Sequence, residues 1–123
     1  MYLTPMIDSN QSPESIKAAA KVQDETLDAI ATSYSGYFTV NKKYNSNLFF
    51  WYVPAKHPRR DGPTPLILWL QGGPGGSSLF GLFIEHGPFF VPADDLVPVK
   101  RDISWTDSYN VIYVDQPVGT GFR

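Results

Sequence analysis

The sequence predicts an α/β fold in which an antiparallel strand pair is followed by two buried strands. Three observations carry this. Gly36-Tyr37-Phe38-Thr39-Val40 and Asn47-Leu48-Phe49-Phe50-Trp51-Tyr52-Val53 are aromatic and β-branched runs joined by a polar cluster from Asn41 to Asn47, the pattern of a hairpin. Leu66-Ile67-Leu68-Trp69-Leu70 is an unbroken apolar pentad, the texture of a strand covered on both faces of a sheet. Asn110-Val111-Ile112-Tyr113-Val114-Asp115 repeats that texture and runs into the glycine-rich turn Pro117-Val118-Gly119-Thr120-Gly121. Strands are therefore expected near 36–41, 47–53, 66–70 and 110–115, in a body spanning 34–123. Residues 1–33 read as an N-terminal extension with a short helix. A strand pair, a buried strand, a glycine loop and another buried strand is how an α/β sheet opens.

The extension and the connections follow from local chemistry. Ser12-Pro13-Glu14 is an N-cap followed by proline at the first helical position, which starts a helix over about 13–21. Apolar residues continue at roughly helical spacing to Ala31, interrupted by Thr26 and Asp28, so an extension to Ala31 is the longer reading. Asn10-Gln11-Ser12 has the form of a glycosylation acceptor, but the proline directly after it argues against its use. Lys56 to Pro65 holds three prolines, two arginines and a glycine, an exposed loop, and Arg59-Arg60 reads as its solvated tip rather than a processing site. Leu79 to Glu85 is apolar enough for a short helix, and Gly87 to Asp102 is a proline-punctuated excursion.

Bulk properties narrow the function class. Of 123 residues, 42% are hydrophobic and 18% charged, a globular rather than disordered balance. Aromatics reach 15% and need a sizeable core, while the chain is short for an α/β enzyme. A formal charge of −2 without a basic stripe argues against a nucleic-acid partner. With no cysteine, a disulfide framework, a thiolate metal site and a cysteine nucleophile are excluded within these residues; no metal and no cofactor are expected. No apolar run approaches the ~20 residues of a membrane span. Met1 to Ile7 lacks the basic start and long apolar middle of a secretory leader, leaving a cytosolic chain or a clipped start as the two readings.

The loop Gln71-Gly72-Gly73-Pro74-Gly75-Gly76-Ser77-Ser78 carries the chemistry. Glycine lets backbone approach a reacting group closely, and Pro74 stiffens the bend. A main-chain N–H is thereby presented at the carboxyl end of a strand, where open α/β sheets bind ligands. Phosphate is the weaker ligand: Gly76 is followed by Ser77 with no lysine, and Gly119-Thr120-Gly121 lacks a third glycine and a following helix, so neither nucleotide-binding fingerprint is met. A developing oxyanion fits better. In α/β-hydrolases one oxyanion donor comes from a glycine-rich loop after the third strand, and two strands before Leu66–Leu70 make that strand the third.

Trp69-Leu70-Gln71-Gly72-Gly73-Pro74-Gly75-Gly76-Ser77-Ser78 resembles the W-L-N-G-G-P-G-C-S-S signature of the serine carboxypeptidases. Ser33-Tyr34-Ser35-Gly36-Tyr37, Leu48-Phe49-Phe50-Trp51, Gly81-Leu82-Phe83-Ile84-Glu85-His86-Gly87-Pro88 and Asp115-Gln116-Pro117-Val118-Gly119-Thr120-Gly121-Phe122 are similar to that family in the same order. Glutamine and glycine at 71 and 76, and Leu3-Thr4-Pro5 near the start, resemble its vitellogenic-like branch. The similarity is weakest over 9–31 and 91–100. It implies that residues 34–123 are the first part of an α/β-hydrolase domain, an N-terminal fragment of a serine-type carboxypeptidase that releases C-terminal residues from peptides.

By the same resemblance, Gly73 matches the oxyanion N–H position, and Trp69, Gln71, Gly72 and Glu85 match the positions that recognise the substrate's terminal carboxylate. An acidic Glu85 beside a carboxylate implies a shared proton, hence better peptide binding at acidic pH. Gln71 is one methylene longer than the family's asparagine, so its amide sits ~1.5 Å further out or folds back. Gly76 lacks whatever role the family's cysteine has. Arg123 departs where the family continues with serine. Implied partners are peptide or protein C-termini and the missing C-terminal part of the same enzyme. The implied location is secreted or lysosomal, with the leader lost from a clipped start.

Other residues have plainer readings. Ser77 and Ser78 stand outside a G-x-S-x-G elbow and read as helix caps rather than nucleophiles. Asp107 and Asp115 precede any nucleophile, the wrong order for the triad acid of this fold. His57 reads as exposed, His86 as a structural histidine beside the cleft, and Trp51 and Trp105 as core. The triad is absent from these residues, so the chain alone is expected to be inactive. It is also expected to be poorly stable, with an open apolar edge along Asn110–Asp115. The rival reading is a non-catalytic truncated relative that binds peptides or a partner; a lipase or esterase is disfavoured by the set around Gln71 and Glu85.

Overall fold

A computed structural model describes residues 1–121; Phe122 and the Arg123 departure lie outside the described residues. Strand β1 (Tyr34–Asn41) turns through Asn45, at φ 48°, into β2 (Ser46–Val53). The pair is antiparallel, with Gly36 opposite Phe50 and Phe38 opposite Leu48. Gly36 allows this face to close: a Cβ there would lie 3.0 Å from the Met1 carbonyl and 3.2 Å from the Phe50 ring.

Strand β3 (Leu66–Trp69) is followed by a long connection that contains the short pair β4 (Phe89–Phe90) and β5 (Val99–Lys100), and then by β6 (Asn110–Val114). The main sheet has the order β1-β2-β6-β3. Strand β6 runs antiparallel to β2, with Trp51 opposite Tyr113, and parallel to β3, with Trp69 opposite Tyr113. A parallel pair needs a crossover connection, and residues 70–109 provide it.

This order corrects the expectation of an open edge at Asn110–Asp115. β6 is interior, and Val111 and Tyr113 are fully buried. The sheet's edges are β1 and β3, and on β3 Leu66 and Leu68 are 62% and 58% exposed. The pentad is therefore not covered on both faces among the described residues. Ile67 and Trp69 pack on the core, while Leu66 and Leu68 point to the other, uncovered side. Chain order had suggested that the last strand stands at the edge; the parallel pairing instead inserts it between its predecessors.

Each face of the sheet carries its own core. Val53, Val111 and Tyr113 meet Leu82 and Phe89 on one side, with Trp51, Ile67, Trp69 and Phe83 packed around them. On the other side Phe50, Leu3 and Ala20 form the centre, flanked by Tyr34, Phe38, Tyr52 and Ile112. That second core is closed by α1 (Thr4–Asp8) and α2 (Pro13–Ala20). Ser12 caps α2, its Oγ accepting the Ser15 N–H at 3.2 Å. The longer helix to Ala31 does not form. Lys21 pairs with Tyr34, and the Val22 N–H donates to the Ser33 carbonyl. A separate α3 (Glu25–Ile30) then starts at Asp24, whose side chain accepts the Leu27 N–H at 3.0 Å. Two caps in succession divide the segment, because an aspartate at a helix start satisfies orphan donors better than a mid-helix aspartate does.

Candidate active-site loop

The glycine loop is pinned at its C-terminal end by two serines. Ser78 is fully buried; its Oγ donates to the Val114 carbonyl at 2.5 Å and accepts the Gln71 N–H at 3.0 Å. One hydroxyl thus ties the end of β3 to the end of β6. The Ser77 Oγ donates to Asp115 Oδ1 at 2.9 Å, and the Ser78 N–H reaches the same oxygen at 2.7 Å. Ser77 Oγ also accepts the Leu79 N–H at 3.2 Å. Both hydroxyls are committed to structure, and among the described residues neither meets a histidine that could act as base. Asp115 is 2% exposed. It is an anchor for the loop, a role that a lone acid at the end of an apolar strand signals in the sequence only in outline.

Between these anchors the chain bends sharply. Gly73 and Gly75 lie at φ +133° and +102°, values that side-chain-bearing residues avoid. The Gly76 N–H closes the bend on the Gly72 carbonyl at 3.2 Å. The Gly73 N–H meets no acceptor among the described residues, and Gly72, Gly73 and Pro74 are exposed. Gln71, Gly72, Gly76, Ser77, Leu79 and Phe80 line a cleft of about 450 Å³ beside it.

Gln71 takes the folded-back course. Its Oε1 accepts the Trp69 indole N–H at 3.1 Å, which leaves the amide NH₂ as the free donor. A Cβ at position 76 would stand 2.8 Å from the Gly72 carbonyl and 3.1 Å from Gln71 Cγ. Glycine at 76 therefore suits the tight approach of the Gly72 carbonyl and of the inner atoms of the residue 71 side chain.

Trp69 is boxed on three sides. Its ring stands edge-to-face with His86 at 4.4 Å and with Trp105 at 5.6 Å. A Cβ at Gly81 would lie 2.4 Å from its Nε1. Gly81 opens the segment Gly81–Glu85, the π-helical part of the short helix expected from Leu79 to Glu85. Its wider turn closes through the His86 N–H on the Gly81 carbonyl at 3.0 Å. Glu85, at the end of that turn, is exposed and opens on a separate cleft of about 410 Å³ with Phe90, Arg101 and Ile103. Trp69, Gln71 and Gly72 are brought together; Glu85 lies in the neighbouring cleft.

His86 is the residue that pattern reading undervalued. Its ring stacks on Trp105 at 3.9 Å and lies nearly parallel to Tyr113, while Nδ1 sits 3.3 Å from the Tyr113 hydroxyl. Burial holds the imidazole below the ordinary histidine range, against a smaller upward pull from Glu85 and with a downward push from Arg101. The folded state thus prefers the neutral ring. The unfolded chain takes up its proton near pH ~6.5 and the folded chain only lower, so stability held above that pH is lost as pH falls through it. Urea midpoints are expected to drop on acidification below pH ~6.5, and His86→Phe to flatten that drop. Parallel wild-type and variant profiles would contradict this.

The profile of the family described as serine carboxypeptidase matches residues 23–123. The chain belongs to the serine carboxypeptidase family. It is 47% identical over 122 residues to a venom serine carboxypeptidase of Apis mellifera and 48% identical over 122 residues to a vitellogenic carboxypeptidase of Aedes aegypti. Each match covers 99% of this chain and 25% of the relative. A probable serine carboxypeptidase CPVL of Rattus norvegicus is 58% identical over 90 residues, covering 73% of this chain and 18% of that protein. The prohormone-processing carboxypeptidase Kex1(Δ)p of Saccharomyces cerevisiae superposes with a TM-score of 0.71 at 30% identity, over 86% of this chain and 25% of its own. The chain spans about a quarter of the length of these serine carboxypeptidases. Its sheet is the N-terminal part of their α/β-hydrolase fold. No helix among the described residues is long and apolar enough to cross a membrane.

Proposed function

We propose that this chain supplies the oxyanion donor and the carboxylate-recognition loop of a serine-type carboxypeptidase that releases C-terminal residues from peptides. The observation that carries the reading is the Gly73 N–H, unbonded among the described residues on an exposed bend that Asp115 and Ser78 hold against the sheet. In the assembled enzyme a serine outside these residues attacks the scissile carbonyl, with a histidine as base. The Gly73 N–H meets the oxygen as it gains charge, an effect worth about 10²–10³ in rate for one donor. The Gln71 NH₂, oriented by Trp69, and the Gly72 backbone receive the substrate's terminal carboxylate. Glu85 opens on the other cleft and joins the site, sharing a proton with that carboxylate, only where the bound substrate or the rest of the enzyme brings the two within reach. Secretion or delivery to a lysosome belongs to the same reading.

The test uses the full-length protein that carries this chain, with a peptide ending in a free carboxylate and the same peptide amidated. The free acid is expected to have a lower KM, with the advantage largest at acidic pH and lost in Gln71→Ala. Equal KM values for acid and amide across that range would overturn the carboxylate assignment. Saturable binding of the free acid with no turnover would favour a non-catalytic peptide-binding relative.

A further inference from the structure

We propose that His86 is the positioning residue of the carboxylate subsite, fixing the Trp69 indole and through it the orientation of the Gln71 amide. The inference rests on the reading that Gln71 meets the substrate carboxylate. His86 itself stands behind that surface and touches no substrate.

The residue is held at both its main chain and its ring. Its N–H donates to the Gly81 carbonyl, and its carbonyl accepts from the Trp105 N–H at 3.0 Å and from Ser104 Oγ at 2.9 Å. The ring lies between Trp105 and Tyr113. Tyr113 is fully buried, and burial raises its phenol well above the ordinary range, so the hydroxyl keeps its proton. It can donate that proton to Nδ1, which places the imidazole proton on Nε2. Nε2 is buried and has no hydrogen-bond partner among the described residues.

What the flat ring does is set Trp69. The indole has three neighbours that limit its rotation: the His86 edge contact, the Trp105 edge contact and the bare Cα of Gly81. In the resulting pose its N–H takes the Gln71 oxygen. An amide has one acceptor end and one donor end. With the oxygen occupied, only the NH₂ can face a carboxylate, and that interaction is attractive. If the indole turned away, the amide could flip and present its oxygen to a carboxylate, which repels. His86 thus acts on recognition of the terminal carboxylate and leaves bond breaking alone.

The experiment compares His86→Leu, His86→Ala and His86→Phe in the full-length protein, with acid and amide forms of one peptide, alongside Gln71→Ala. His86→Leu keeps bulk but loses the flat ring; it is expected to raise KM for the free acid about tenfold, with kcat within about twofold and KM for the amide unchanged. His86→Ala should behave alike. His86→Phe should restore the wild-type KM for the acid, since a flat ring suffices to hold the indole. A wild-type KM in His86→Leu, or equal losses on acid and amide, overturns the proposal. Gln71→Ala separates the two readings. If it leaves KM for the acid unchanged, the carboxylate assignment itself fails. If it raises KM while His86→Leu does not, only the role of His86 fails.

Discussion

Replacing Asp115 by alanine is expected to destabilise the chain by about 3–5 kcal/mol and to release the glycine loop from the sheet. The carboxylate accepts from Ser77 Oγ and from the Ser78 N–H at the junction of β6 and the loop. Hydrogen bonds to a charged acceptor are each worth about 1.5–3 kcal/mol. Their loss falls unevenly. Ser77 is only partly buried and can turn to water, but Ser78 is fully buried, and its N–H would be left without an acceptor. The neighbouring turn loses support as well, because the Gly121 backbone packs directly on the same carboxylate: a Cβ there would stand 2.0 Å from Oδ2. Asp115→Asn retains an acceptor oxygen and should lose less than half as much. Urea unfolding of the three proteins measures the order; a wild-type midpoint for Asp115→Ala would show that the loop is held by something else.

Gly87→Ala is expected to be at least as damaging, by a different mechanism. A Cβ at position 87 would lie 2.0 Å from the Leu82 carbonyl oxygen and 2.7 Å from its carbon. Neither atom can retreat, since Leu82 is fully buried in the core beneath Tyr113 and Phe89. The Gly87 N–H is itself tied to the Gly81 carbonyl at 3.1 Å. Overpacking commonly costs about 1–3 kcal/mol where side chains can shift; with backbone on the receiving side the loss should exceed about 4 kcal/mol. Gly62→Ala is the matched control, because a Cβ there has nothing within 4 Å. Thermal or urea unfolding should show a change within about 0.5 kcal/mol for the control and a collapse of the transition for Gly87→Ala. Similar midpoints for the two variants would refute the steric account.

The loop's bend was accessible from the residues because it depends on neighbours in the chain. Glycines on both sides of Pro74, directly after an apolar strand, describe a bend that bares backbone whatever surrounds it. The π-helical turn at Gly81–Glu85 was not accessible in the same way. Its apolar residues suit any short helix, and the close approach of Trp69 to Gly81 and of the Leu82 backbone to Gly87, which leaves no room for a Cβ at either, appears only in the fold. The support behind Trp69 was hidden for a related reason. His86, Trp105 and Tyr113 come from three separate segments; Trp105, expected in the core, is 43% exposed and covers the His86 ring from the solvent side.

Alternation and turn chemistry establish an α/β class with a hairpin ahead of a glycine loop, and the ordered motifs establish the serine carboxypeptidase family. Both are local properties, written within a few residues of one another. The interior position of β6, the exposed edge at Leu66 and Leu68, the anchoring of the loop by Asp115 and the orientation of the Gln71 amide emerge only in three dimensions. The first three depend on contacts between residues far apart in the chain, and the last on His86 and Trp105 packing around the Trp69 indole. Such partners are chosen by competition for buried surface and by the need of each buried polar group for a partner.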